Sequence, residues 1–209
     1  MNESGGTAAS LLVAATELFA RRGYDGASVR DITREAGANL AAVGYHFGSK
    51  EGLWLATLEA ALSPLREAIG AAAAGPGAAL DRIEACVRAM FAFAAERPSI
   101  NGLILHVMAS APPLPEPALR TIQFNSATMR KLIEKGQSEG SIGDGDPRLL
   151  ALSVASQPMA VLLARPAIQG GAMIPLDSRW AFDLLVENAV HFVRTGLAPE
   201  GVAVRGRTR

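Results

Sequence analysis

The segment from residue 28 to residue 53, SVRDITREAGANLAAVGYHFGSKEGL, constrains the fold most, because it contains start and stop signals for three short helices. Ser28 is a capping residue ahead of the first helix, and Gly37 is suited to end that helix in a left-handed conformation. Asn39 and Ser49 are capping residues for the second and third helices. Two helices joined by a short glycine-containing turn form a helix-turn-helix unit, and the sequence predicts one here.

The composition of the 209-residue chain favours helix throughout. Apolar residues make up 49% of it, and runs of β-branched or aromatic residues are few. We therefore predict an all-α fold of about nine helices, since apolar residues repeat at helical spacing between Gly-rich and Pro-rich breaks. The predicted helices cover about 8–22, 29–36, 40–47, 50 to the break at 71–77, 78–96, 100–110, 117–138, 148–165 and 178–195.

The charge balance limits the kinds of partner. The chain has 20 basic and 20 acidic side chains, and residues 1–54 have five basic and six acidic ones. DNA affinity depends largely on neutralising phosphates, so any attraction to DNA must come from where the basic residues lie. The single cysteine, Cys86, excludes an internal disulfide. The sequence has neither a basic leader nor an uncharged run of about 20 residues, which predicts a cytoplasmic protein without a membrane span.

The second helix of the helix-turn-helix, residues 40–47, has suitable dimensions for the DNA major groove. Eight residues span about 12 Å at about 1.5 Å per residue, and the groove is about 12 Å wide. Ala41, Ala42 and Gly44 are expected on its outer surface, where the backbone could approach base edges and alanine methyls could contact thymine methyls. Asn39 is expected to cap this helix, to contact a base, or to do both.

Polar side chains around that helix are candidates for contact with the phosphate backbone. Tyr45 and His46 have hydrogen-bond donors, Lys50 has a point charge at the start of the next helix, and Ser28 and Arg30 begin the preceding helix. Each also has an ordinary structural interpretation. Capping accounts for the serine, the tyrosine could pack on the first helix, and the histidine and lysine could be solvated. The order and spacing of the set favour DNA binding.

Residues 11–53 resemble the DNA-binding domain of the tetracycline-repressor (TetR) family of bacterial regulators. LLVAATELFARRGYDGASVRDI and AGANLAAVGYHFGSKEGL carry the resemblance, above all the YHFGSKEGL pattern of residues 45–53. ANLAAVGYHFGSK further resembles the CecR-like branch, whose regulators respond to drugs or other small toxic molecules. The resemblance implies a DNA-binding domain over residues 1–53, a ligand-binding and dimerisation domain over residues 54–209, and a homodimer joined by the last two helices.

The resemblance also implies roles by position. Ser28 and Lys50 would contact phosphate, His46 would lie near the DNA backbone, and the groove would be occupied by Asn39, Ala41, Ala42, Gly44 and Tyr45. Two departures from the family pattern matter. Gly44 replaces a larger side chain, which would make base reading sparse or dependent on DNA shape. Leu40 stands where a basic residue is common, which removes one phosphate contact.

The last two predicted helices are more apolar than a single buried face requires. Residues 178–195 are mostly apolar apart from one narrow line of polar side chains along the helix. Residues 148–165 include small residues that permit close helix crossing. We predict that these helices form a two-fold dimer interface, because a two-fold DNA reader needs one. The predicted interface residues are Ala151, Ala155, Trp180, Leu184 and Phe192. The alternative is that both faces are internal.

A ligand pocket is predicted in the C-terminal domain. The candidate lining residues combine apolar bulk with a few polar groups and are Phe91, His106, Phe124, Gln157 and Met159. The alternative is that these residues belong to the core, and a histidine in an apolar run such as ILHVM is more often a core residue. Binding of an effector would favour a dimer whose reading helices no longer match a half-site spacing of about 34–36 Å. The Ser63-Pro64 pair would be the joint.

These features predict a DNA-binding transcription regulator, specifically a ligand-responsive repressor, with a TetR-like activator as an alternative. An enzyme lacks support, because the three histidines are far apart and no phosphate-binding loop or nucleophile motif is present. No metal and no cofactor are expected. The other alternative is a helical adaptor protein without a DNA role, and the zero net charge is the best argument for it.

Overall fold

The computed structural model describes residues 3–110, 113–170 and 178–199, and within these ranges the chain forms nine α-helices and no strand. The all-α prediction is therefore confirmed. None of the helices in these ranges combines the length and apolar character that a membrane span requires. The helices are α1 (Glu3–Gly26), α2 (Val29–Glu35), α3 (Ala41–Phe47), α4 (Lys50–Ala73), α5 (Ala79–Glu96), α6 (Pro98–Ala109), α7 (Glu116–Ser138), α8 (Pro147–Gly170) and α9 (Arg179–Leu197).

Two helices differ most from their predicted bounds. Gly23 ends the regular first part of α1 as predicted, because it adopts a non-helical conformation (φ 69°, ψ 179°), and a further short helical segment reaches Gly26. α1 begins at Glu3, five residues before the predicted start at residue 8. α8 continues five residues past the predicted end at Arg165 to Gly170. Elsewhere the predicted and observed ends agree within about two residues.

The chain forms two compact units. The N-terminal unit consists of Met1–Pro64 and Ala94–Ile122, and the C-terminal unit consists of Leu65–Phe93 and Gln123–Arg209. The division falls inside α4, which continues through Pro64 to Ala73. The N-terminal unit therefore contains α6 and the beginning of α7 in addition to the first three helices.

The N-terminal unit has a core in which α1 packs against α2, α3 and, most extensively, α6. Glycine permits the last of these contacts, because a Cβ atom at Gly102 of α6 would lie 2.8 Å from the carbonyl oxygen of Ala20 in α1. The Ser99 hydroxyl donates a hydrogen bond of 2.5 Å to Glu17 across the same pair. The fully buried side chains around this contact include Leu11, Leu18, Phe19, Ile32, Leu53 and Leu103.

The C-terminal unit joins α5 to α9 through apolar packing and ion pairs. Phe91 of α5 is buried and meets the ring of Phe182 edge-on, with 6.3 Å between centroids. Arg194 of α9 is paired with Glu84 and, at 2.8 Å, with Asp81. Two members of the predicted polar line of α9, Glu187 and Arg194, thus pair with side chains of α5.

Cys86 lies in the interior of the C-terminal unit. Its side chain is buried, and its thiol donates a weak hydrogen bond to the carbonyl oxygen of Ile69, with 3.6 Å between sulfur and oxygen. Burial raises the pKa of this thiol to about 11, because the thiolate would lose its hydration. Cys86 is therefore a small core residue, as its apolar surroundings in the sequence predict.

Candidate nucleic-acid interface

Ser28 caps the first helix of the helix-turn-helix. It has extended backbone angles, its hydroxyl oxygen accepts the Asp31 N–H at 3.1 Å, and the hydroxyl donates to the Asp31 carboxylate at 2.8 Å. The hydrogen bond from Ser28 lowers the pKa of Asp31, and the nearby charge of Arg34 adds to the effect. Capping alone therefore accounts for this serine. Its contact with phosphate remains a prediction that its exposed position permits.

The turn between α2 and α3 follows from two residues. Gly37 has a positive φ of 65°, which a glycine adopts without a Cβ clash. The Asn39 side-chain oxygen accepts the Ala42 N–H at 2.9 Å, so Asn39 caps α3 even though regular helix begins only at Ala41. The predicted capping role of Asn39 is confirmed, and the residue is exposed.

The outer surface of α3 is small and flat, and it consists of Ala41, Gly44 and Tyr45, which are all exposed. The prediction that Ala42 lies on this surface is wrong. Ala42 is 8% exposed and packs with Val43 in the core of the N-terminal unit. The physical reason is the helix period: Ala42 and Val43 fill the arc that faces α1 and α2, which leaves Ala41, Gly44 and Tyr45 outside.

Tyr45 is 78% exposed, so it does not pack on the first helix. The ring of His46 meets it edge-on at 4.8 Å between centroids, and His46 is half-buried. A tyrosine that is held outside the core leaves a large apolar ring and a hydroxyl in water. This placement suits contact with a partner better than it suits stability.

The junction of α3 and α4 is unusually tight. The Ser49 hydroxyl oxygen accepts the Gly52 N–H at 3.0 Å and so caps α4 as predicted. A Cβ atom at Gly52 would lie 2.0 Å from the carbonyl oxygen of Phe47, so only glycine fits there. This requirement is not among the features predicted from the sequence, although a glycine in the first turn of a helix is a signal of close backbone approach.

Lys50, at the start of α4, has a partner that the sequence analysis also missed. Its ammonium nitrogen lies 4.4 Å from the ring centroid of Tyr24 in α1. This cation–π contact holds the lysine beside the helix-turn-helix, and among the described residues no carboxylate forms an ion pair with it.

Ion pairs divide the basic residues of the N-terminal helices into two groups. Arg21 pairs with Glu35 at 3.3 Å, and Arg22 and Arg34 both pair with Asp31. Within the part of the chain that the structure describes, Arg30 and Lys50 have no carboxylate partner, and Arg30 is exposed. The two remaining basic residues of the predicted DNA surface are thus the ones whose charge is free for phosphate.

The predicted ligand residues do not come together as one group. Phe91, Phe124, Gln157 and Met159 belong to the C-terminal unit, whereas His106 belongs to the N-terminal unit. His106 is exposed, which contradicts its interpretation as a core histidine, and it lies against Gly23. The C-terminal unit has a cavity of about 570 Å³ between the α7–α8 loop and the end of α9, and none of the five residues lines it.

The predicted dimerisation residues separate into exposed and buried members. Trp180, Leu184 and Phe192 are 70%, 53% and 62% exposed along one side of α9. The prediction for Ala151 is wrong, because this residue is 2% exposed and packs inside its own unit, while Ala155 is half-buried. Leu149 and Leu152 are exposed large apolar residues in the part of α8 whose side chains the structure describes, and helical spacing from them would have placed Ala151 inside.

The family comparison identifies the N-terminal part of the chain. Residues 11–57 match the model described as bacterial regulatory proteins, tetR family. This part is similar to the N-terminal domain of that family. A search of curated proteins gives no match. Among the described residues no group of His, Cys, Asp and Glu side chains is arranged to hold a metal ion.

Solved structures extend the TetR likeness over most of the chain. A bacterial regulatory protein in the tetR family from Rhodococcus RHA1 is 22% identical, with a TM-score of 0.75, and the match covers 92% of this chain and 97% of that one. The transcriptional regulator FadR from Bacillus subtilis, in complex with stearoyl-CoA, is 16% identical, with a TM-score of 0.76 and coverage of 90% and 98%.

A third solved structure agrees with these two. The TetR family transcriptional regulator PfmR from Thermus thermophilus is 21% identical, with a TM-score of 0.69 and coverage of 90% and 98%. Likeness at these identities establishes the fold, an N-terminal helix-turn-helix followed by a C-terminal helical region. The matched family and these neighbours are regulators rather than enzymes.

Proposed function

We propose that this protein is a TetR-type transcription regulator that binds operator DNA as a homodimer and leaves it when a small molecule binds. Residues 1–53 contact DNA, and residues 54–209 bind the effector and form the dimer. The observation that carries this proposal is the outer surface of α3, which is bare at Ala41 and Gly44 and is flanked by the uncompensated charges of Arg30 and Lys50.

The proposed contacts follow from that surface. α3 has seven residues and is about 10 Å long, so it fits the major groove. Ala41 and Gly44 let its backbone approach the base edges, and the exposed ring of Tyr45 lies beside them. Asn39, His46 and Ser28 add hydrogen-bonding groups at the rim of the groove.

For DNA binding, the local placement of charge matters more than the zero net charge of the whole chain. The acidic residues of α2 pair with arginines of α1 and α2, so they do not cancel the charges of Arg30 and Lys50. Binding then depends on a few phosphate contacts per subunit. The affinity for DNA therefore falls as the salt concentration rises.

The apolar sides of α8 and α9 support the homodimer. Trp180, Leu184 and Phe192 repeat at multiples of four residues along α9, and Leu149 and Leu152 extend the exposed apolar surface to α8. The opposite face of α9 is buried within its own unit. Large apolar side chains concentrated on one face of two neighbouring helices are typical of a subunit interface.

The effector is proposed to be a small molecule in the C-terminal domain. The support is the ligand in the FadR neighbour, together with the apolar and polar mixture of Phe91, Phe124, Gln157 and Met159. The resemblance of the recognition segment to the CecR-like branch favours a drug-like effector. The effector acts by population shift, because it stabilises a dimer that does not fit the operator. Repression rather than activation is the simpler outcome of such release.

A gel-shift titration with the DNA upstream of the gene tests the proposal. We expect the logarithm of the binding constant to fall linearly with the logarithm of the salt concentration. Lys50→Ala is expected to weaken binding about evenly across sequences and to reduce the salt slope by about one unit. Lys131→Ala removes an exposed lysine of α7 and is the matched control, expected to bind like the parent.

The same experiment distinguishes a DNA-binding regulator from a helical adaptor protein. A chain that ignores this DNA in dilute buffer, or whose Lys50→Ala and Lys131→Ala variants behave alike, would contradict the proposed DNA surface. The neutral charge would then favour a helical adaptor protein.

A further inference from the structure

The N-terminal unit has a cavity of about 680 Å³ that the proposed function does not use. Its walls come from the end of α1 after the Gly23 bend, the beginning of α4, the end of α6 and the segment that leads into α7. All of its lining residues belong to the N-terminal unit. It is therefore distinct from the cavity of the C-terminal unit, although His106, one of the predicted ligand residues, lines it. Its volume is within the range of small-molecule sites, about 300–1,000 Å³.

Two aromatic rings line this cavity and are held in place by packing. Trp54 is almost fully buried, and its ring meets Phe19 edge-on with 4.9 Å between centroids. The ring of Tyr24 lies 5.7 Å from that of Trp54. Tyr24 already binds a cation, because the Lys50 ammonium lies over its ring. The cavity thus presents fixed aromatic surface of a kind that attracts positive charge.

The charged residues around the cavity are mostly acidic. Asp25 and Glu51 line it, and within the described residues neither has an ion-pair partner. Glu116 lines it too but is paired with Arg120. Arg22, the arginine of the lining, is paired with Asp31 at 3.4 Å. The Lys50 ammonium over the Tyr24 ring offsets one of the two free carboxylates, so the remaining charge of this set is one negative charge.

The environment of Tyr24 agrees with that sign. Burial raises the pKa of Tyr24, and the charges of Glu51 and Asp25 raise it further. Both carboxylates thus act on the same ring that faces the cavity. A cation placed here would gain from the carboxylates and from the rings at once.

We propose that this cavity binds an organic cation, with Tyr24 and Trp54 as its aromatic walls and Asp25 and Glu51 as its counter-charges. The ligand is a small molecule with apolar groups around a permanent positive charge. The site goes beyond the proposed function, which places the effector among Phe91, Phe124, Gln157 and Met159 of the C-terminal unit. Because the Lys50 ammonium lies over the Tyr24 ring, a bound cation would contact the same ring as the lysine that is proposed to bind phosphate.

The test is calorimetric titration of the full chain, without DNA, with tetraphenylphosphonium and with tetraphenylborate. The two ions have the same shape and opposite charge, so a difference between them reports charge and not apolar contact. We expect tetraphenylphosphonium to bind. Glu51→Gln should raise its dissociation constant by about fivefold, and the double variant with Asp25→Asn should raise it further. Glu67→Gln changes an exposed glutamate of the same helix and should leave binding as in the parent.

A second readout locates the ion. In a Trp180→Phe background Trp54 is the one tryptophan left, and its emission should change during the phosphonium titration. Absence of phosphonium binding, equal affinity for both ions, or equal affinity of the parent and the double variant would overturn the proposal. Both substituted carboxylates are exposed, so thermal melts should show the variants folded. Because no DNA is present, the result is independent of whether the chain binds an operator.

Discussion

At the scale of single residues, two glycines of the helix-turn-helix region differ in how much space surrounds them. A Cβ atom at Gly52 would lie 2.0 Å from the Phe47 carbonyl oxygen, whereas nothing lies within 4 Å of a Cβ atom at Gly44. Gly52→Ala should therefore lower the free energy of unfolding by about 2 kcal/mol or more, because a backbone must move. Gly44→Ala should raise it by about 1 kcal/mol, because alanine favours helix. Urea denaturation measures both changes.

The Gly44 variant also tests the role of the bare helix surface. If the backbone of α3 approaches base edges at Gly44, the added methyl should weaken operator binding while the protein becomes more stable. An unchanged affinity with increased stability would show that Gly44 does not face the groove.

The Asp146 carboxylate begins α8 and is the most strongly perturbed acid of the described chain. Its hydrogen bonds with the Arg148 side chain and backbone N–H lower its pKa to about 2. A lowered folded-state pKa means that this carboxylate contributes stability above its ordinary pKa of 3.8, and that the contribution is lost as the pH falls towards 2.

Replacement of the arginine partner tests this assignment. In Arg148→Ala the pKa of Asp146 should move back towards its ordinary value, because the side-chain hydrogen bonds and the charge are lost. Carboxyl NMR shifts followed from pH 6 to pH 2 measure it. Asp146→Asn should remove the titration from the spectrum, and an unchanged midpoint in Arg148→Ala would assign the lowered pKa to the backbone alone.

At the scale of helices, two prolines allow a matched comparison. Pro64 lies inside α4, where it cannot donate to the Ala60 carbonyl, whereas Pro98 is the first residue of α6, where no donor is needed. Pro64→Ala should raise the free energy of unfolding by about 1–3 kcal/mol, and Pro98→Ala should lower it by about 0.5 kcal/mol. Thermal unfolding measures both, and destabilisation by Pro64→Ala would show that the helix requires its proline.

The helices were predictable because their signals are local. Ser28, Asn39 and Ser49 each cap the helix that the sequence assigns to them. The all-α fold and the nine helices of the described ranges therefore follow from caps, breaks and periodicity, whereas the TetR likeness rests on the sequence motif of residues 45–53. These signals act within a few residues, which is the range over which a single sequence can be interpreted.

The errors concern contacts between distant segments. Nothing near Ala42 or Ala151 indicates which side of its helix another helix covers, and both are buried. The contact of Lys50 with Tyr24 depends on how α1 meets α4, and the position of His106 depends on the packing of α6 against α1. Such placements result from tertiary packing, which periodicity constrains only to within one face.

At the scale of the whole molecule, the exposed apolar side of α9 predicts the oligomeric state. Phe192→Glu should convert the proposed dimer to a monomer at micromolar concentration, because a buried charge at a subunit interface is unfavourable. Val13→Glu is the control, since Val13 is an equally exposed apolar residue of α1. Analytical ultracentrifugation should give a dimer for this control and for the parent. A monomeric parent would contradict the proposed interface.

The packing of α6 against α1 also limits how the protein can be divided. Leu103 and Val107 of α6 complete the core formed by Leu11, Leu18 and Phe19 of α1, although about 80 residues separate them along the chain. A gene fragment that stops at residue 64 would therefore encode a helix-turn-helix region whose apolar core is open to water. The smallest fragment that folds alone must therefore extend beyond α6. The helix-turn-helix region depends on α6 to complete its core.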